Sequence, residues 1–334
     1  MARAVATAEP VQGRTAPNPG VGAVVVPVGS SDADGRWFGG ATAPPGGPHA
    51  EVAALRAAGS AAEGAALYVT LEPCSHHGRT PPCTDAILAA GIRRVVVALA
   101  DPDPHVDGTG IAALRTAGLE VEVGAGEQLA REQLAPYLKH RRTGRPWVVL
   151  KLAATLDGGT AAPDGTSQWI TGEQARADAH RLRARSDAVL VGSGTVRADD
   201  PHLTVRLPPE DPWSRGPDEQ PLRVVLGSVP PGAAVAPALE LGGTPAEVLD
   251  HLGGRGVLQV LVEGGATVAH AFHHAAVVDR YVLYLAPALF GGGDARPLFV
   301  GPGASTIDRL WRGRLHSVTS LGDDLRVELS AHGA

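Results

Sequence analysis

The sequence predicts an α/β protein built as two layered domains. Short continuous apolar runs alternate with helix-like segments, several of them closed by glycine, the pattern of helices packed on a mixed sheet. The alternation breaks once, at Gly144-Arg145-Pro146, and then a new series begins. A chain of 334 residues suits about two domains, expected at 1–144 and 145–334.

The elements follow in order. VGAVVV (21–26) is apolar throughout, as a buried strand should be, and RWFGG (36–40) can pair with it. Residues 50–58 read as a helix, ALYVTLEP (66–73) as a strand, and TDAILAAG (84–91) as a helix ended by Gly91. RRVVVALAD (93–101), GIAALRTAG (110–118) and LEVEVG (119–124) repeat strand, helix, strand. Residues 126–143 read as a helix carrying one proline. PWVVLKLAATLDGGTA (146–161) opens the second series as a strand, followed by a helix over 173–186 and strands at 188–194 and 221–228. VLQVLVEGG (257–265) is a strand ending in glycines before a helix, and 281–291 and 325–330 close the sheet. LPPEDPWSRGPDEQP (207–221) is a polar loop.

Composition narrows the function. The charge of −6 and 4% aromatic content argue against a nucleic-acid binder. No apolar run approaches the ~20 residues of a membrane helix, and MARAVATAEP has no apolar signal core, so a cytoplasmic enzyme with no membrane partner is expected. The basic residues are nearly all arginine; Lys139 and Lys151 are the only lysines. Two nearby cysteines, Cys74 and Cys83, read as metal ligands or reactive thiols in such a chain.

PHAEVAAL (48–55) places His49 and Glu51 at the start of an alanine-rich helix, and LEPCSHHGRTPPCTDA (71–86) carries both cysteines. Singly each has a plain explanation: a surface histidine, a first-turn helix acid, buried thiols. Together they form an H-x-E then P-C pattern, with the second cysteine displaced by SHHGRTPP, which is the ordering of zinc nucleobase deaminases. His49, Cys74 and Cys83 would hold zinc with a fourth position open, zinc would bring its water near a pKa of ~7, and Glu51 would move protons. His76 and His77 fall in the expected substrate loop and are weaker ligand candidates.

At these residues the chain resembles the bifunctional riboflavin-biosynthesis deaminase–reductases. LEPCSHHGRTPPC, APNPGVGAVVV (16–26), PHAEVAAL and LADPDP (99–104) match the deaminase half. KLAATLDGGTA (151–161), SQWIT (167–171), VGSGTVRADDPHLTVR (191–206) and LVEGGATV (261–268) match the reductase half, so the resemblance spans nearly the whole chain. It implies a cytidine-deaminase-like domain followed by a dihydrofolate-reductase-like domain. It implies deamination of a diaminopyrimidinone bearing a ribosylamino 5'-phosphate, then reduction of the ribosyl group by NADPH. Asn18, Arg79 and the 75–82 loop would hold the first substrate, with Arg79 gripping phosphate. Ala154, Trp169, Thr195, Asp199, Ser228 and Gly265 would line the NADPH site. Lys151, Ser167, Arg183, Leu203, Arg206 and Glu263 would contact the second substrate, with Arg183 and Arg206 on its phosphate. Related enzymes are oligomers, so a homo-oligomer is expected.

Two departures stand out. Asp103 occupies a position that is often asparagine, and the span between Ser228 and Glu263, where the family usually has an extra strand, is short. The short span motivates an alternative: a deaminase whose degenerate reductase half is a structural or oligomerisation module. A nucleic-acid deaminase or binding module and a purely structural zinc site are further alternatives. The first meets the acidic balance, and the second would need a fourth protein ligand from His76 or His77.

Overall fold

The computed structural model describes residues 1–30, 35–77, 81–104 and 106–331. The chain divides into two compact units, Met1–Arg145 and Pro146–Ala334.

The first unit is a five-stranded sheet: β1 (Gly22–Val26), β2 (Phe38–Ala41), β3 (Ala66–Val69), β4 (Arg94–Val97) and β5 (Glu120–Val123). The order is β2-β1-β3-β4-β5; β1 is antiparallel to both neighbours, and β3, β4 and β5 run parallel. The helices are α1 (Ala2–Ala8), α2 (Ala50–Ala58), α3 (Cys83–Ala89), α4 (Thr109–Thr116), α5 (Glu127–Gln133) and α6 (Ala135–Thr143). Ala50, Ala54 and Ala58 form a buried stripe on α2 at helical spacing. A Cβ at Gly40 would lie 2.2 Å from the Ala54 nitrogen, so the small residues of β2 and α2 together let the helix seat directly on the sheet.

The second unit holds an eight-stranded sheet of order β10-β9-β8-β11-β6-β12-β15-β14. Its strands are β6 (Trp147–Thr155), β8 (Ala188–Gly192), β9 (Leu222–Leu226), β10 (Leu239–Leu241), β11 (Gln259–Val262), β12 (Arg280–Ala286), β14 (Gly313–Leu321) and β15 (Asp324–Ala331); β7 (Gly159–Ala161) and β13 (Arg296–Pro297) pair separately. β14 and β15 form an antiparallel edge, and the strands from β10 to β12 are parallel. Its helices are α7 (Glu173–Ala184), α8 (Ser193–Asp199), α9 (Pro245–Gly254) and α10 (Ala266–His274). Val148, Leu150 and Leu152 of β6 pack in one core cluster with Val248, Leu252 and Phe272, while Val149 packs in another with Ala175 and Leu182. Both faces of the strand are covered, which is why its sequence is apolar on both faces apart from Lys151 and the closing Thr155.

Several boundaries differ from the sequence expectation. The helix over 126–143 is two helices, because Pro136 cannot donate into a preceding turn and instead sits in the first turn of α6. The strand over 146–161 stops at Thr155, whose hydroxyl accepts the Gly159 N–H across a turn. The strand over 188–194 yields at Ser193 to α8, and the strand over 281–291 ends at Ala286. Helix α1 and strand β14 carried no clear sequence pattern; β14 is largely exposed. The short span after Ser228 still supplies an outer parallel strand, β10, and helix α9 with a Thr244–Glu247 capping box.

Candidate functional site

In the first unit, His49 is the N-cap of α2 and Cys83 opens α3, so two helix N-termini face each other across Cys74. His49 Nδ1 lies 3.6 Å from Cys74 Sγ and 3.3 Å from Cys83 Sγ. Tetrahedral zinc with usual Zn–S and Zn–N lengths needs a nitrogen–sulfur spacing of roughly 3.5 Å, so the donor set fits that ion. Among the described residues these three form the one cluster able to hold a metal, and His76 and His77 are exposed outside it. The Cys83 N–H donates to Cys74 Sγ at 3.4 Å. Hydrogen bonding from Cys83 and His49 holds the Cys74 thiol down to about 4 against the effect of burial; Cys83, as the donor, is pushed up. The hydrogen bond to Cys74 raises His49, with burial opposing.

Glu51 is 4% exposed on the apolar face of α2. Burial raises its carboxyl to about 7, and only in part is this opposed by backbone hydrogen bonding and the nearby His49. A group that can hold or release a proton near neutrality suits acid–base work.

Two features of this unit escaped the sequence reading. Glu72, one residue before Pro73-Cys74, accepts the backbone N–H groups of Asp101, Gly108, Gly110 and Ile111 at 2.9–3.2 Å. It thereby ties the cysteine segment to the start of α4, a negative charge at a helix N-terminus. The second is the α5–α6 pair: Gln133 donates to the Gly20 carbonyl and Arg141 to the Pro17 carbonyl, bracketing Asn18, which sits in a turn closed by Thr15. Arg141 also lies 3.4 Å from Asp103, so the acid at this departure from the family pattern is neutralised. Arg79 falls outside the described residues.

In the second unit, a cavity of about 1110 Å³ opens where α8 follows β8 and α10 follows β11. Lys151, Ser167, Trp169, Arg183, Thr195, Asp199, Leu203, Arg206, Glu263 and Gly265 line it. Ala154 is fully buried on β6 outside the lining, and Ser228 is exposed just after β9, also outside the lining. Register sets Val262 opposite Leu150, which brings Glu263 beside Lys151 at 3.8 Å. Arg183 grips Glu263 with two hydrogen bonds of 2.6 and 3.0 Å. Burial alone would raise Glu263; Arg183 and Lys151 override it and hold the carboxyl at about 2. Burial lowers Lys151, with Glu263 opposing. The Gly265 N–H donates to Thr195 Oγ1 at 3.1 Å where α10 begins. Backbone donors at that helix start, in a cavity that Arg183 and Arg206 also line, fit a phosphorylated dinucleotide and an anionic substrate. Trp169 is 68% exposed with the Arg176 guanidinium 4.7 Å from its ring.

Comparison with known proteins agrees with this division. Residues 1–99 match the cytidine and deoxycytidylate deaminase zinc-binding region, and 146–327 match the RibD C-terminal domain. The chain is 46% identical to riboflavin biosynthesis protein RibD of Mycobacterium tuberculosis over 330 residues, covering 96% of this chain and 93% of that protein. The solved structure of Acinetobacter baumannii RibD superposes with a TM-score of 0.88 at 38% identity, over 99% of this chain and 97% of that one. A diaminohydroxyphosphoribosylaminopyrimidine deaminase/5-amino-6-(5-phosphoribosylamino)uracil reductase from Thermotoga maritima gives 0.84 at 34% identity, over 99% and 97%.

Proposed function

The chain belongs to the RibD family of riboflavin-biosynthesis deaminase–reductases, and from that premise we propose how its own residues perform the two reactions. The observation that carries the reading is the convergence of His49, Cys74 and Cys83 beside the buried carboxyl of Glu51. The substrate is the diaminopyrimidinone carrying a ribosylamino 5'-phosphate; water replaces its 2-amino group and ammonia leaves. Zinc, when bound, supplies the Lewis acidity that makes water a nucleophile near neutral pH. Glu51 takes the proton of the attacking water and returns protons to the ring nitrogen and the departing amine. Asn18 and Arg79 hold the base and phosphate.

In the second reaction NADPH supplies the hydride that converts the ribosyl group to ribityl. Gly265 and the start of α10 would hold the cofactor phosphates, Thr195, Asp199 and Trp169 would line the rest of the cofactor site, and Ala154 and Ser228 would stand at its margins. Lys151, kept in place by Glu263, faces the sugar; Ser167 and Leu203 line its path, and Arg183 and Arg206 receive its phosphate. Two free cysteines as ligands suit the reducing cytoplasm. Exposed Leu315 and Val318 on the edge strand β14 support a homo-oligomer.

The test follows ammonia release and NADPH oxidation separately on zinc-loaded protein given the diaminopyrimidinone phosphate. Both signals are expected. Ammonia without NADPH oxidation would refute the reductase half and favour the degenerate module.

A further inference from the structure

His180 lines the same cavity and has no part in the reading above. It lies on α7 three residues before Arg183, hence on the same helix face. Its Nδ1 accepts the backbone N–H of Arg206 at 3.2 Å. A ring nitrogen that accepts carries no proton, so the neutral ring bears its hydrogen on Nε2. Burial, then Arg183 and Arg206, lower its pKa to about 4, with Glu263 opposing, so the neutral ring is the form present at neutral pH.

The segment 203–206 is fastened to α7 twice, by Arg183 donating to the Thr204 carbonyl at 3.0 Å and by His180 accepting from Arg206. Gln220 holds Val205 from the other side. Arg206 itself is exposed, and its guanidinium makes one hydrogen bond among the described residues, to Thr204 Oγ1 at 3.3 Å. With so few contacts of its own, the region that guanidinium can reach is set by where its backbone is held. We propose that His180 is a positioning residue for phosphate recognition: by accepting the Arg206 N–H, it fixes the backbone from which the Arg206 guanidinium reaches the substrate. This rests on the reading that Arg183 and Arg206 bind the substrate phosphate.

The test uses the full-length enzyme and supplies the deaminated pyrimidine directly, as its 5'-phosphate and as the dephosphorylated analogue, with NADPH oxidation as the readout. Wild type is expected to prefer the phosphate. His180→Ala is expected to raise KM for the phosphate about tenfold, the scale of one hydrogen bond lost next to a charged group. Its kcat, and its KM for the dephosphorylated analogue, should stay within about twofold of wild type, the pattern of lost binding rather than lost chemistry. His180→Asn keeps an acceptor near the Nδ1 position and should recover most of the preference; His180→Gln moves that acceptor out of reach and should behave like alanine. An unchanged NADPH Kd in each variant reports an intact domain. If the alanine variant keeps the wild-type preference, if kcat falls equally for both substrates, or if asparagine is no better than glutamine, the proposal fails. A wild type indifferent to the phosphate would instead overturn the arginine clamp on which it rests.

Discussion

Arg183→Met tests the electrostatic centre of the reductase cavity. Glu263 is 7% exposed at its side chain and Arg183 13%, so little solvent screens the pair. A glutamate held at about 2 rather than 4.5 represents ~3 kcal/mol of stabilisation, taking about 1.4 kcal/mol per tenfold. Because the folded-state value is depressed, this contribution is fully present above pH 4.5 and disappears as pH falls toward 2. Methionine keeps much of the arginine stem's bulk but leaves a buried carboxylate with only Lys151 beside it. Breaking a buried pair from one side costs on the order of 3–5 kcal/mol, so the loss at pH 7 should be of that size. Of the five tryptophans, Trp147, Trp169, Trp213 and Trp311 lie in the second unit, so urea unfolding followed by their fluorescence reports this unit. The variant should unfold at clearly lower urea at pH 7, and its deficit should shrink as pH falls from 4.5 to 3. Adding Glu263→Gln should restore part of the stability. A wild-type midpoint for Arg183→Met at pH 7, or a deficit independent of pH across that window, would refute the reasoning.

Glu51→Gln should retain one zinc per chain by elemental analysis and lose ammonia release by about 10²–10⁴-fold, while reduction of separately supplied deaminated substrate continues. Gly110→Ala would set a Cβ 1.9 Å from the Pro73 carbonyl, so it should push the cysteine segment off α4 and weaken zinc retention against a chelator; unchanged retention would disprove the close approach. Asp187 is raised to about 6 by burial despite accepting the N–H groups of Leu258 and Gln259. Its folded-state value is above the ordinary one, so the native state gains stability as pH falls through 6 and is penalised above it. Relative to wild type, Asp187→Asn should therefore become more stable as pH rises from 4 to 7 in the same urea titration, and a flat difference would count against it.

What was legible in the sequence depended on how local the cause was. Strands β1, β4, β6 and β11 announce themselves because burial on both faces makes them largely apolar, and β3 does so by alternating buried with half-buried residues. The grouping His49, Glu51, Cys74 and Cys83 was readable because a metal set restricts residue types tightly. Glu72 was hidden: its partners lie 29–39 residues away, and no local pattern marks an acid that will cap another element's helix. The same holds for Arg141, whose neutralisation of Asp103 turns an apparent charge penalty into a contact. Strand β14 lacked a signal because its side chains are mostly exposed, so nothing selects an apolar period. The break at Pro136 could have been read, since a proline inside a polar helix pattern is a restart signal as much as a blemish.

The short span between Ser228 and Glu263 bears directly on whether the second half is a working reductase. Within it β10 lies at the outer edge of the sheet, four places from β6 in strand order, while α9 packs in the core cluster of β6 and β11 pairs with β6 directly. The cavity draws instead on 151–206, Leu226, 263–268 and 296–300. Trimming the edge therefore acts near exposed Ser228 and leaves the ion-pair centre intact. A domain kept only for packing would have no reason to bury Lys151, Arg183 and Glu263 together, because charges removed from water are stabilising only with close partners and an apolar substitute is commonly as stable or more so. These three charges converge on a lined cavity beside a helix start, an arrangement that packing alone does not call for and that a charged ligand accounts for.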